Sequence, residues 1–323
     1  MWNYIVNRLF QMLVTLLVLS TLIFFLFRIL PGDPLSMFID AALPVEAQEA
    51  VMKQFGLDKP LWQQYITYMS NLFRGEFGVS FHYRQPVIEI IGEKVWSTAI
   101  LMGAALLIAF AVGVLGGAIM AWIRGSKIEI FGTALALFFR SAPVFWTGMV
   151  VLLIFSYRLG WFPAGGMRSV GTEVLSNWDK FVSLDFLHHL VLPALTAALY
   201  YIATPLLVMR TAMIEVMNDD FIEMARAKGL SEWKVLTRHA MRNSLLPVVT
   251  VLCLMVGFAI GGQVLIETVF RWPGLGREMV AAIQRNDYPV AQATFFLMGI
   301  LVIFLNLVAD LLYGILDPRV TYD

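Results

Sequence analysis

Six apolar runs, each long enough to cross a bilayer as a helix, recur along the 323 residues at about 9–27, 97–122, 131–157, 187–210, 245–266 and 291–316. A helix rises about 1.5 Å per residue, so about twenty apolar residues cover the roughly 30 Å of hydrocarbon. Composition agrees. Hydrophobic residues make up 59% and charged residues 14%, with a mean hydropathy of +0.75, outside the range of soluble domains. The expected fold class is an all-α integral membrane protein with six transmembrane helices. The first run follows Arg8, is too long for a signal-peptide core and lacks a small-residue cleavage site, so it reads as an uncleaved span.

Lys plus Arg and Asp plus Glu both number 23, which gives no basis for nucleic-acid binding. The distribution of charge is more informative than its sum. Arg124 and Lys127 lie in one short connection, and six basic residues lie between Arg210 and Arg242. Positive charge in short loops marks the cytoplasmic side, which puts both termini and the 211–244 loop in the cytoplasm. The single Cys253 sits in an apolar run and reads as a buried, inert thiol.

The segment 219–247 is charged, broken by a glycine and patterned as helix. Asp219 and Asp220 precede Phe221, with Glu223 placed as in a capping box. Phe221, Met224, Ala225 and Lys228 then fall on one largely apolar face. Gly229 supplies the left-handed residue that ends this helix. Ser231 is placed to cap a second helix, with Trp233, Leu236, Ala240 and Met241 as an apolar stripe. Lys234, Arg238 and Arg242 form a basic one, read as facing anionic lipid headgroups. Leu246 and Pro247 are expected to close the unit and open the next span.

Between the first and second spans, residues 31–96 are too many for a simple connector. Pro31-Gly32-Asp33-Pro34 reads as a turn, and 44–55 and 61–72 read as amphipathic helices, together forming an extracytoplasmic cap. The expected organisation is 1–30 as N-terminus and first span, 31–96 as cap, and 97–323 as the core of the remaining spans. Within the core, Gly113, Gly116 and Gly117, and again Gly257 and Gly261, read as close helix contacts. Pro143, Pro193 and Pro205 interrupt helical bonding inside spans, which requires protein or water nearby. Arg140 and Asp310 are ionisable residues within spans, and Asn306 is a further polar one. Each charge must face protein or water, and Arg140 either pairs with Asp310 or reaches to the interface.

Glu223-Met224-Ala225, Gly229 and Leu246-Pro247 resemble the cytoplasmic EAA signature of the membrane subunits of bacterial ABC importers, with Met224 where the signature has its first Ala. Ala225-Arg226-Ala227-Lys228-Gly229-Leu230-Ser231 is similar to the version in the dipeptide/oligopeptide/nickel permeases. Gly56 to Pro60, Gly75 to Ser80, Ser141, Pro143, Phe145, Trp146, Glu267, Phe270, Pro273-Gly274, Gly276, Asp287-Tyr288-Pro289 and Asp317-Pro318-Arg319 extend the resemblance over nearly the whole chain. Arg140 departs from the family pattern.

The resemblance implies the six-helix fold of type I importers, located in the bacterial cytoplasmic membrane. It also implies a second permease subunit as partner in a heterodimer, two ATPase subunits and an extracytoplasmic substrate-binding protein. Phe221, Glu223, Met224, Ala225, Arg226 and Gly229 would then couple to the ATPase. Short peptides are the implied cargo, with nickel or another small solute as the alternative. No catalytic residue, cofactor or metal site is expected. The chain lacks a Gly-x-x-x-x-Gly-Lys loop and a His-Glu-x-x-His motif, and His188-His189 reads as an interface pair. A stand-alone secondary carrier would need titratable groups near the bilayer midplane, and six spans form half a pathway more naturally than a whole one.

Overall fold

The computed structural model describes the backbone of residues 2–29, 59–171, 179–261 and 264–316, and the side chains of 6–28, 59–171, 181–257 and 264–308. Among the described residues the structure is helical, with one isolated antiparallel bridge between Val79 and Pro86. Among the described residues four helices are long and apolar enough to cross a membrane, and the count is six when each of two bent pairs is one span.

The first helix, α1 (Trp2–Ile29), contains the first expected run. Helix α2 (Leu61–Phe73) belongs to the expected cap and starts after Pro60. It leans on α1 through Tyr65, whose hydroxyl lies 2.8 Å from Thr21 Oγ1 and whose ring meets Phe24 edge-on at 5.3 Å. The expected 44–55 helix, Asp317, Pro318 and Arg319 fall outside the described residues, as do the packing surroundings of Gly261 and the side chain of Asp310. Helix α3 (Val87–Trp122) starts ten residues before the expected second span, so the helix reaches into the stretch assigned to the cap.

The third run departs most from expectation. Instead of one span over 131–157, α4 (Lys127–Ser141) and α5 (Val144–Val151) are separated by a bend of 105°, and α5 continues as a π-helical stretch over Leu152–Arg158. The cause is local. Pro143 disfavours helical backbone at the residue before it, and Ala142 is extended at φ −67°, ψ 138°. The fourth run is a second bent pair, α6 (Leu184–Tyr201) and α7 (Ala203–Val216), turned by 44° at Ile202. Pro205, in the first turn of α7, has no N–H to offer back across that bend.

Helix α3 is the centre of the packing and lies against both members of the α6–α7 pair. Its closest approach is to α7. A Cβ on Gly113 would stand 2.7 Å from Pro205 Cγ, and one on Gly117 would stand 2.9 Å from Met209 Cβ and collide with the Leu206 carbonyl. Absence of side chains there lets the backbones touch, as small-residue faces do in membranes.

After α8 (Asp220–Ala227), the chain enters α9 (Glu232–Lys234), a π-helical stretch over Val235–Ala240, and α10 (Met241–Gly261). These run on as one rod, so the expected stop at Leu246 and Pro247 does not occur. Pro247 sits inside α10, and the side chains of Asn243 and Ser244 hydrogen-bond the carbonyls of His239 and Ala240 just upstream. Helices α11 (Val264–Val269) and α12 (Leu275–Gln284) lead to α13 (Tyr288–Leu316), which packs on α10 and α1.

Candidate functional site

The two ends of the bundle are built differently. At the end carrying the 211–244 loop, α8 begins after Asp219 and stops at Gly229, which is left-handed at φ +78° as the sequence requires. The cap differs from expectation, because neither Asp219 nor Ser231 makes a side-chain capping bond. Acidic Asp220 and Glu223 still lie in the first turn, where the helix dipole favours them.

Of the apolar face expected to point outward on α8, Phe221 and Met224 do so and Ala225 does not. Ile222, fully buried, and Ala225, 6% exposed, point into the core cluster that holds Met213, Val235, Leu236 and Ala240. Phe221, 39% exposed, and Met224, 57% exposed, point out, together with Glu223 and Arg226. Ala225 therefore belongs to the seat of the helix and is not on its outward face. Ile222 and Ala225 lie one turn apart, as do Phe221 and Met224, so two apolar stripes compete, and the space between α7 and the following rod takes the less bulky one. Burying Ile222 is worth about 1.5–3 kcal/mol. Arg226 is held by Glu232 across the Gly229 turn, Nε to Oε1 at 2.9 Å, and Gly229 itself is exposed.

The rod that follows buries Leu236 and Ala240, as expected, while Trp233 is 66% exposed, its ring tilted against that of Trp122 with 6.2 Å between centroids. Trp233 is thus a correction to the expected inward stripe. Lys234, Arg238 and Arg242 are all exposed.

A clasp beside this loop is readable from sequence only in part. Glu129, in the first turn of α4 and buried, accepts from Arg210 Nε at 2.8 Å and from the Gly125 N–H, while its own N–H donates to Ser126 Oγ at 3.1 Å. Ser126-Lys127-Ile128-Glu129 has the Ser-x-x-Glu spacing that announces a helix start. Its partner Arg210, 81 residues away, has no sequence signal. The ion pair ties the start of α4 to α7, which leads into the 211–244 loop.

At the opposite end the α11–α12 segment is locked onto α3. Buried Glu267 accepts from Thr98 Oγ1 at 2.6 Å and from the Arg277 N–H at 2.9 Å, and Trp272 Nε1 donates to the Ser97 carbonyl at 2.9 Å. Burial pushes the Glu267 carboxyl up, and the Thr98 and backbone donors pull it partly back. Gly274 and Gly276 leave room for the carboxylate, since a Cβ on Gly274 would collide with it. A second lock holds the turn after α2: buried Asp287 accepts from Ser80 Oγ and from the N–H groups of Phe81 and His82, both at 3.1 Å. Tyr83 donates to Glu278 Oε1 at 3.0 Å, and its hydroxyl accepts from Arg285.

Between the ends lie the two bends. Arg140, exposed on the last turn of α4, donates through Nη1 to Thr204 Oγ1 at 2.9 Å, and its guanidinium stands over the Tyr200 ring at 5.5 Å. Asn306 packs against Gly257, where a Cβ would collide with its side-chain amide, so it serves the α10–α13 contact. His188 and His189 have separate carbonyl partners, Trp161 at 2.7 Å and Asp185 at 2.8 Å.

The profile described as "Binding-protein-dependent transport system inner membrane component" matches residues 113–322, and that of the N-terminal part of the same type of component matches 1–102. The chain belongs to this family. A peptide permease protein of Brucella suis biovar 1 is 38% identical over 323 residues, covering 99% of each chain. The oligopeptide transport system permease protein AppB of Bacillus subtilis is 36% identical over 320 residues, again covering 99% of each. Among solved structures, the inward-facing MetNI methionine ABC transporter superposes with a TM-score of 0.53 at 17% identity, covering 71% of this chain and 97% of that one. That likeness concerns the fold alone, and it agrees with an all-α importer permease. Membership makes the chain a membrane transport component.

Proposed function

We propose that the chain is one pore-forming subunit of an ATP-driven importer of short peptides. Full-length similarity to relatives named as peptide and oligopeptide permeases is the observation that carries this reading. The chain pairs with a second, homologous permease subunit, and two separate ATPase subunits supply the work. The 211–244 loop and both termini face the cytoplasm of a bacterial cell, in keeping with the basic residues of the short loops. Helix α8 docks in a groove of an ATPase through Phe221 and Met224, with Glu223 and Arg226 at the rim and Gly229 setting the turn. Its support is the geometry of α8, which is anchored by one apolar stripe and presents another. The cap region 31–96 receives a substrate-binding protein on the other side.

The decisive experiment reconstitutes the complete assembly and compares stimulation of ATP hydrolysis by peptide-loaded and metal-loaded binding proteins. Peptide-loaded protein is expected to stimulate, and stimulation by the metal-loaded form alone would replace peptide by metal as cargo. In the same assay Gly229→Val should uncouple hydrolysis from uptake, because a β-branched residue is strained at φ +78° even though its Cβ meets open space. Wild-type coupling in that variant would remove α8 from its assigned role.

A further inference from the structure

Arg140 poses a physical problem that the family resemblance does not solve. It lies thirteen residues after Lys127 on α4, so at about 1.5 Å per residue it stands about 20 Å along the helix, a distance that falls within the roughly 30 Å of hydrocarbon for a span beginning at Lys127. Its side chain is nevertheless exposed. A guanidinium at that depth does not face lipid tails, and the same holds for the backbone beside it, which leaves the helix at Ala142. The exposed surface around the bend, with Ser141 and Pro143, therefore faces water or another protein. Thr204 and Tyr200 fix the side chain from the second bent pair, so both interrupted helices meet at this cation. Only one of its five N–H donors is used by Thr204, and no carboxylate lies within ion-pair distance among the described residues.

We propose that Arg140 lines the translocation path and takes the terminal carboxylate of the passing peptide, a contact that deepens and rests on the peptide-importer reading above. The geometry suits that ligand. A planar guanidinium held at one edge and stacked on a ring presents its remaining edge to an anion. Every unmodified peptide carries one terminal carboxylate whatever its side chains, so a single cation serves cargo of varied sequence. Because the group is exposed and partly engaged, the pair is weak enough to release cargo. The same positive charge repels a free divalent metal cation, which sets peptide apart from metal as cargo at this point of the path.

The test uses the complete reconstituted assembly, with a peptide bearing a free C-terminal carboxylate and its C-terminal amide, each first shown to load the binding protein equally. Arg140→Gln is expected to slow uptake of the free acid about fivefold, the scale of an exposed ion pair, and to leave the amide unchanged. Arg140→Lys should retain an intermediate rate. Equal slowing of both peptides, or no change in either, would overturn the proposal while leaving the importer reading intact. Loss of the second permease subunit from purified Arg140→Gln assemblies would do the same, because the guanidinium would then be an interface contact. Failure of the wild-type assembly to take up either peptide would overturn both readings. Independently of cargo, Arg140→Cys in a Cys253→Ser background should react with a membrane-impermeant thiosulfonate during ATP turnover, and complete protection would place residue 140 against lipid or protein and end the argument.

Discussion

The Thr98 hydroxyl lies 2.6 Å from Glu267 Oε1 and donates to it, while accepting from the Leu275 N–H at 2.8 Å. One side chain on α3 thus holds both α11 and α12, from 169 and 177 residues away. Severing it exposes a buried carboxylate and a backbone donor together, so the contact is costly to break.

This contact carries a pH dependence. Burial raises the Glu267 carboxyl above the ordinary glutamate range, so the folded clasp binds a proton more tightly than the open chain does. The sign follows from linkage: this contribution to stability is present at low pH and is lost as pH rises from the ordinary value, about 4.3, through the raised one. Hydrogen exchange at the Leu275 and Arg277 amides, corrected for intrinsic rates, should show protection falling over that interval. Glu267→Gln, neutral throughout, should flatten the trend, and protection that rises with pH would show an ionised carboxylate in the clasp.

Ile222 should matter more to coupling than its outward neighbours suggest. Truncation to Ala removes a fully buried side chain and is expected to weaken the seat of α8 by about 2–5 kcal/mol, while Ile222→Val should cost about 0.5–1.5 kcal/mol. In the reconstituted importer this predicts less uptake per ATP hydrolysed for Ile222→Ala and near-normal uptake for Ile222→Val, with subunits still copurifying. Equal ratios for wild type and Ile222→Ala would show that α8 is seated by other contacts.

The α3–α7 contact predicts a contrast between neighbours. A Cβ on Gly117 collides with the Leu206 backbone, whereas one on Gly116 meets Leu206 Cδ1 at an ordinary 3.5 Å. Gly117→Ala should therefore destabilise by about 1–3 kcal/mol, as overpacking does. Gly116→Ala should be neutral or slightly stabilising. Thermal unfolding in detergent separates them, and similar midpoints for both would refute the close approach at Gly117.

Much of the architecture follows from local chemistry. Apolar runs of membrane length specify spans because the backbone has no water to bond there, and Gly229 ends α8 because its φ excludes most side chains. Pro143 marks an interruption for the same kind of reason, since a missing N–H and a constrained preceding residue act whatever the surroundings. The size of the bend, 105°, depends instead on what α5 packs against. Which stripe of α8 turns inward was likewise not local. Phe221 with Met224 and Ile222 with Ala225 are equally spaced, and only the shape of the cavity between α7 and the following rod selects Ile222. Arg210 with Glu129, Glu267 with Thr98, and Arg140 with Thr204 join residues 64 to 169 positions apart. Periodicity along one helix carries no information about a partner on another. Those pairings were decided by tertiary packing, because a buried or membrane-embedded charge takes whichever donor or acceptor the assembled helices bring within reach.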